Sequence, residues 1–277
     1  MNTAPATRAG LPADPHDLAG LAATIAREVS SELMASLEDP SRSPTVSTKS
    51  GETDLVTDLD RWAESHIVGR LLGARPDDGV LGAEGSSVAG TSGVEWCIDP
   101  IDGTVNFVHG IPGFCVSIAA QVDGASMAAV VASPMTGEVF EATIGGGAQR
   151  DGRPIRCSFP PDLARAVIGT GFGYDPARRR RQASVLERVI ASIADIRRSG
   201  AATTDLCWVA CGRLDGYWEV GLNPWDHAAG ALIATEAGAR VASFDGGPPS
   251  GASLLAAPPA LWDRLCDLLT AAGAQEV

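Results

Sequence analysis

One stretch of twelve residues constrains this chain of 277 residues more than any other part of its sequence. It spans residues 96–107 and reads Trp-Cys-Ile-Asp-Pro-Ile-Asp-Gly-Thr-Val-Asn-Phe. Its apolar start predicts a strand that ends at Asp99, because Pro100 cannot donate a hydrogen bond within a sheet. Asp102 follows three residues later, so the two carboxylates can converge at the end of that strand. The stretch therefore predicts a sheet with an acidic site at its edge.

The residue types in this stretch indicate a metal and phosphate site. Two neighbouring carboxylates repel each other unless a proton or a cation lies between them. Hard oxygen ligands favour Mg²⁺ over zinc. The amides of Gly103 and Thr104 can point at a phosphate oxygen, and the Thr104 hydroxyl can hold an attacking water. The alternative, for an isolated Asp-Pro-Ile-Asp, is an Asx-type turn with solvated acids.

The composition limits the kinds of partner that the chain can bind. The formal net charge is −13, which argues against nucleic-acid backbones and anionic membranes as partners. The sequence has no basic, apolar leader and no apolar run of membrane-spanning length. Its six cysteines contain no Cys-x-x-Cys pair, which predicts buried thiols in a reducing compartment. We therefore expect a cytoplasmic protein with a small-molecule ligand.

The apolar pattern predicts an α/β protein. A flexible tail over 1–14 precedes an amphipathic helix over 15–38, and Thr57 is the expected N-cap of a second helix. Asp123-Gly124 predicts a hairpin between strands 115–122 and 126–132, and residues 149–155 are expected to continue the antiparallel sheet. Strands and helices alternate in the second half. We expect a layered sandwich with an N-terminal α+β subdomain over 15–157 and a C-terminal α/β subdomain over 158–277.

Two features of the second half carry weaker signals. Gly169, Gly171 and Gly173 are a poor match to a dinucleotide fingerprint, because Asp-Pro and four arginines follow instead of a helix start. The arginines at 178–181 predict a solvated helix face, with contact to an anion or an interface as the alternative. A helix is expected over 182–194.

The string from Asp99 to Phe107 resembles the signature Asp-Pro-Ile/Leu-Asp-Gly-Thr-x-Asn-Phe of the inositol monophosphatase family, the Mg²⁺-dependent, lithium-sensitive sugar-phosphate phosphatases. A second family motif is Asn-Pro-Trp-Asp-His-Ala-Ala-Gly at 223–230, followed by Thr-Glu-Ala-Gly-Ala at 235–239. The resemblance covers nearly the whole chain after about the first fifteen residues. It implies the layered αβαβα sugar-phosphatase fold, a homodimer and the hydrolysis of a phosphate monoester.

The resemblance also implies a set of metal ligands. Asp99 would bridge two Mg²⁺ ions, and the carbonyl of Ile101 would join the first. Asp102 and Asp226 would hold the second ion. Pro224 suits the first turn of a helix, so Asp226 lies near a helix N-terminus, whose amides can face the phosphate.

Catalytic and substrate-binding residues follow from the same resemblance. Asp60 would polarise Thr104 so that the pair orients the attacking water, with Lys49 close to the metal ions. Without the resemblance, Lys49 is a solvated lysine, Asp60 complements a helix dipole and Glu219 is a surface acid. With it, phosphate would bind to Gly103 and Thr104, and the hydroxyls of the substrate would contact Gly200, Ala202 and Glu219.

At one position the chain departs from the family pattern. Its relatives usually carry Gly-Glu-Glu, whereas this chain has Gly-Ala-Glu, so Ala83 stands where the first glutamate would bind metal. Either a ligand has been lost, by nature or by engineering, or Glu84 serves instead. Because side chains alternate along a strand, Glu84 would point away from the site unless the loop adjusts.

Three hypotheses for the function remain open. The first is a Mg²⁺-dependent inositol-1-phosphate phosphatase weakened by Ala83. The second is a related phosphatase for histidinol phosphate, fructose 1,6-bisphosphate or another cyclitol phosphate. The third is a substrate-binding or regulatory protein without catalysis, which only Ala83 suggests.

Overall fold

The computed structural model describes residues 10–39, 41, 44–49, 51–160 and 162–277. Most of the predicted tail over 1–14 lies outside these residues. The first helix has the predicted bounds, and the carboxylate of Asp14 caps it by accepting a hydrogen bond of 2.9 Å from the His16 amide. Thr57 caps the second helix, as predicted. The first elements are α1 (Pro15–Glu38), β1 (Val46–Thr48), β2 (Leu55–Thr57) and α2 (Asp58–Ala74).

A mixed sheet of eight strands forms the first half of the molecule. Its strands are β3 (Gly79–Gly82), β4 (Ser87–Val88), β5 (Glu95–Asp102), β6 (Cys115–Val122), β7 (Ala125–Ser133), β8 (Glu138–Thr143), β9 (Gly147–Arg150) and β10 (Arg153–Pro154). They lie in the order β10-β9-β8-β7-β6-β5-β3-β4, and only β3 and β5 pair in parallel. Asp123 and Gly124 have φ of 51° and 75°, as a two-residue hairpin turn requires.

A smaller sheet of five strands forms the second half. The elements from the central motif onward are α3 (Thr104–Val108), β11 (Val167–Thr170), α4 (Pro176–Val189), β12 (Asp195–Arg197), α5 (Ala202–Ala210), β13 (Gly216–Glu219), α6 (Pro224–Glu236), β14 (Arg240–Ala242), β15 (Leu254–Ala257) and α7 (Pro259–Ala271). The strand order is β12-β11-β13-β15-β14, and β11 pairs in parallel with both neighbours.

Three apolar clusters arrange these elements into five layers. Helices α5 and α6 lie between the two sheets, where Leu206 and Ile233 pack with Cys97 of β5. Helices α1 and α2 cover the other face of the large sheet, and α4 and α7 cover the other face of the small sheet, around Leu265. The predicted αβαβα sandwich is confirmed. The subdomain boundary at residue 157 stays a prediction.

The antiparallel sheet continues over residues 149–155, as predicted, and Asp151 and Gly152, with φ of 51° and 73°, turn the chain there between β9 and β10. Two local predictions were wrong. The helix predicted over 182–194 begins at Pro176, capped by Asp175, and ends at Val189. The strand predicted to end at Asp99 continues to Asp102. Of the helices that the structure describes, none combines the length and the apolar character that a membrane crossing needs.

An ion-pair network links the two halves of the molecule. Glu138 of β8 accepts two hydrogen bonds of 2.6 Å from Arg213, which follows α5, and lies 3.2 Å from Arg150 of β9. The hydrogen bonds from Arg213 lower the pKa of Glu138. Partly exposed pairs of this kind contribute about 0.2–1 kcal/mol to stability.

We expect Glu138→Gln to lower the free energy of unfolding at pH 7 by about 1 kcal/mol or less. A carboxylate with a lowered pKa stabilises the fold above its ordinary pKa of 4.5, and this contribution is lost as the pH falls through the lowered value. Urea unfolding at pH 7 and pH 3 measures both effects. Glu187→Gln, at an exposed position of α4, is the control. An equal loss at both pH values would contradict the assignment.

Candidate active site

The central motif forms an irregular strand end. Asp99 pairs with Ser117 of β6, but Asp102 pairs with Cys115, so the register shifts between them. Two residues of β5, among them Pro100, thus face one residue of β6, as in a β-bulge. The Asp99 carboxylate also accepts a bond of 3.1 Å from the Ile101 amide, which is the Asx-type turn of the alternative interpretation. The bulge lets both Asp99 and Asp102 face one cavity.

This cavity, with a volume of about 500 Å³, lies between the two halves of the molecule. Asp99 and Asp102 are only 7% and 8% exposed. Asp226 reaches the same cavity from the first turn of α6, where it completes a capping box with Asn223. The Thr203 amide of α5 donates a bond of 2.7 Å to Asp102. Carboxylates from distant parts of the sequence therefore share one cavity, as the motifs predicted.

The three carboxylates destabilise one another's charges. Burial raises the pKa of Asp99 well above its ordinary value, and the charges of Asp102 and Asp226 raise it further. Burial and the charge of Asp226 raise the pKa of Asp102 to about 7. Burial raises the pKa of Asp226 to about 6. A divalent cation would relieve this repulsion, so the oxygen donors fit Mg²⁺ in kind.

The three carboxylates are not arranged as a complete set of metal ligands. Within the described ranges, no three Asp, Glu, His or Cys side chains are grouped closely enough to form a metal-binding cluster as they stand. Binding of one cation by all three carboxylates would therefore require their side chains to move closer together.

Asp60 makes contacts in two directions, within the first turn of α2 and with Thr104. One carboxylate oxygen accepts bonds of 2.7 and 2.6 Å from the amide and hydroxyl of Thr57, which completes the capping box of α2. The other oxygen accepts a bond of 3.0 Å from the Thr104 hydroxyl. That hydroxyl is also 3.1 Å from the carbonyl of Ile101. The contact predicted between Asp60 and Thr104 is therefore present.

Glu84 lines the cavity, contrary to the expectation that it would point away. Strand β3 ends at Gly82, so Ala83 and Glu84 lie in a turn where side chains need not alternate. The Glu84 carboxylate is 2.5 Å from the ammonium of Lys49, which also faces the cavity. The charge of Lys49 counteracts the effect of burial, which raises the pKa of Glu84.

Glu64 of α2 holds this turn in place. Its buried carboxylate accepts bonds of 2.7 and 2.8 Å from the amides of Glu84 and Ser86. A Cβ on Gly82 would lie 2.5 Å from the same carboxylate, so only glycine leaves it room there. The position of Glu84 thus depends on Glu64, which the sequence analysis did not single out.

The residues expected to read the substrate lie in the opposite wall. Gly200, Ala202 and Glu219 all line the cavity. Glu219 accepts a hydrogen bond from the Tyr217 hydroxyl, and burial raises the pKa of Glu219 to about 7. A Cβ on Gly171 would lie 2.0 Å from the Glu219 carboxylate. The glycine therefore makes room for this side chain.

Asn106 of the central motif joins the two walls. Its amide nitrogen donates bonds of 3.0 Å to the carbonyl of Gly113 and 2.7 Å to that of Ser199. Gly103 has a φ of 92°, and a Cβ added to it would lie 3.1 Å from the Cβ of Ala201. The motif that supplies Asp99 and Asp102 thus also fixes the loop before α5.

Five further charged residues line the cavity and were not predicted as site residues, namely Asp54, Asp175, Arg178, Arg198 and Asp205. Arg178 is one of four consecutive arginines, and no pattern distinguishes it from its neighbours; the predicted solvated face was wrong for this residue. Arg198 lies two residues before Gly200, and that closeness to an expected substrate contact is the one available signal. Burial raises the pKa of Asp205 to about 8, and one of its oxygens has no partner among the described residues.

The chain has clear relatives. Residues 14–273 match the profile of the inositol monophosphatase family. The inositol-1-monophosphatase of Mycobacterium leprae is 46% identical over 231 residues, which cover 79% of each chain. The Nus factor SuhB of Vibrio cholerae is 41% identical over 234 residues, which cover 84% of this chain and 87% of the relative.

The fold has close counterparts among solved structures. The extragenic suppressor protein suhB of Bartonella henselae superposes with a TM-score of 0.86 at 36% identity, over 91% of this chain and 98% of that chain. The structural superposition and the profile match both extend over the two halves of the molecule and include both motifs. The chain therefore belongs to the inositol monophosphatase family.

Proposed function

We propose that the chain is a Mg²⁺-dependent phosphoric monoester hydrolase that acts on inositol 1-phosphate or a related polyol phosphate. The observation that carries the proposal is the shared cavity of Asp99, Asp102 and Asp226, beside the hydrogen bond from Thr104 to Asp60. Family membership supports a phosphatase, and the name of the Mycobacterium leprae relative supports inositol 1-phosphate as the substrate.

In this proposal the Mg²⁺ ligands are the carboxylates of Asp99, Asp102 and Asp226 and the carbonyl of Ile101. Bound there, Mg²⁺ would neutralise charge on the phosphate and lower the pKa of a water molecule. Glu84 is a further candidate, but its carboxylate is paired with Lys49. As arranged here, Glu84 would have to give up that ion pair to replace the glutamate that is missing at Ala83.

The side chains of the chain itself orient the attacking water. The Thr104 hydroxyl has one proton, which it donates to Asp60 or to the Ile101 carbonyl. Its lone pairs are then free to accept a hydrogen bond from a water molecule that faces the phosphorus. The amides of Gly103 and Thr104 would bind a phosphate oxygen, and Glu219 would accept hydrogen bonds from hydroxyls of the leaving alcohol.

We further propose a homodimer in the cytoplasm, with sensitivity to Li⁺ as in the family. The support for a reducing compartment is that all six cysteines are free and five of them are buried. The two subdomains, over 15–157 and 158–277, would form the site between them.

A second candidate function is binding or regulation without catalysis. Ala83 in place of a metal-binding glutamate favours it, and the relative from Vibrio cholerae is named a Nus factor. This candidate predicts that polyol phosphates bind without being hydrolysed.

Phosphate release separates these candidates. We expect Mg²⁺-dependent, Li⁺-inhibited release from inositol 1-phosphate, at a higher rate than from histidinol phosphate or fructose 1,6-bisphosphate. Asp226→Asn removes a metal ligand and should lower kcat/KM by about 10²-fold or more, by analogy with the loss of one electrostatic stabiliser. Asp267→Asn, at an exposed position of α7, is the control. No release from any ester, together with measurable binding, would favour the second candidate.

Ala83→Glu tests the missing ligand. If the metal site lacks a carboxylate, this substitution should raise kcat by about 10²-fold and lower the Mg²⁺ concentration needed for half-maximal activity. A Mg²⁺ titration of both proteins measures the change. Equal activity of the two proteins at low Mg²⁺ would show that Glu84 already serves.

Gly171→Ala tests Glu219 without replacing it. The new methyl group would displace the Glu219 carboxylate, whereas the backbone at Gly171 is not in the left-handed region, so no strain is expected there. We expect a higher KM for inositol 1-phosphate and an unchanged affinity for inorganic phosphate as an inhibitor. An unchanged KM would contradict the role of Glu219.

A further inference from the structure

Arg178 places a positive charge in the cavity wall and forms no ion pair with a carboxylate of the described residues, although its charge counteracts the raised pKa of Glu219. It lies in the first turn of α4, and its side chain lines the cavity together with Glu219. Its amide donates to Asp175, but its guanidinium makes no hydrogen bond or ion pair with any residue in the described ranges. In a chain with a net charge of −13, a cavity arginine that forms no ion pair within the described residues is free to donate hydrogen bonds to a ligand.

Two glycines leave the space that Arg178 occupies. A Cβ on Gly221 would lie 2.1 Å from a guanidinium nitrogen of Arg178, and a Cβ on Gly173 would lie 2.9 Å from its Cδ. Gly173 belongs to the Gly-x-Gly-x-Gly run that matched no nucleotide-binding pattern. Together with Gly171, which makes room for Glu219, this run opens space for the side chains of the cavity wall.

The two side chains have complementary hydrogen-bonding capacity. Gly171 and Glu219 lie at the carboxyl ends of the parallel strands β11 and β13, where α/β proteins commonly bind ligands. Glu219 offers acceptor oxygens, and Arg178 offers up to five donors in a fixed plane. The pair can therefore contact both the protons and the oxygens of an oxygen-rich alcohol.

We infer that Arg178 is a specificity-determining residue that donates hydrogen bonds to oxygen atoms of the leaving alcohol. It selects polyol esters over esters of alcohols without further oxygen atoms, and a second anionic group on the alcohol strengthens its contact. This inference rests on the proposed function and names the leaving-group chemistry that the site prefers.

Arg178→Gln tests the inference, with Arg180→Gln as the matched control. Arg180 lies in the same run on α4 but is exposed and does not line the cavity. The substrates are inositol 1-phosphate, fructose 1,6-bisphosphate and phenyl phosphate, whose alcohol carries no other oxygen. We expect Arg178→Gln to lower kcat/KM about tenfold to a hundredfold for the two polyol esters and less than threefold for phenyl phosphate.

Gly173→Ala provides a second variant that keeps the charge. Its methyl group would push the Arg178 side chain aside, so we expect a loss in the same direction for the polyol esters. An equal loss for all three esters in Arg178→Gln would show a general effect on the site and would overturn the inference. So would kinetics that match those of Arg180→Gln.

Failure of the proposed function would be recognised separately. If the unaltered chain hydrolyses none of the three esters, the proposed function fails, and binding of inositol 1-phosphate can be measured directly by calorimetry. Binding that is tenfold weaker in Arg178→Gln than in Arg180→Gln would still support the role of Arg178. Equal binding in the two variants would overturn it.

Discussion

Repulsion between buried carboxylates is the constraint on which the rest of this structure depends. The strand end of β5 brings Asp99 and Asp102 together, and the first turn of α6 adds Asp226. Burial raises the pKa of all three carboxyl groups, and the charge of Asp226 raises the pKa of Asp99 and of Asp102 further. Such an arrangement costs stability, and a cation bound there, as proposed, would turn the repulsion into binding energy.

Several buried polar contacts hold the walls of this cavity in place. Asn106 fastens the central motif to the loop before α5, and Glu64 holds the turn that carries Glu84. Asp60 uses one oxygen to cap α2 and the other to bind Thr104. Glycines leave space where a charged side chain must enter, as Gly171 does for Glu219. The catalytic proposal thus also depends on residues outside the cavity lining, such as Asn106 and Glu64.

Much of this could be predicted from the sequence, because the decisive residues stand in local motifs. In the stretch around Asp99 and at the helix start around Asp226, the residues that form the site are close together in the sequence. The apolar residues of α1 recur at the spacing of a helix. The bulge after Asp99 could not be predicted, since register depends on the partner strand. Arg178 could not be distinguished from Arg180, because only the packing against Gly173 and Gly221 sets it apart. The orientation of Glu84 depends on Glu64, twenty residues away.

The most direct test of the account is a crystal structure with Mn²⁺ and phosphate. Mn²⁺ accepts the same oxygen ligands as Mg²⁺ and has a strong anomalous signal. The account predicts anomalous density within coordination distance of Asp99, Asp102 and Asp226, with the phosphate beside Thr104. Metal bound elsewhere would contradict it. So would an absence of metal density at these three carboxylates in a crystal soaked with Mn²⁺ at a concentration that supports phosphate release in solution.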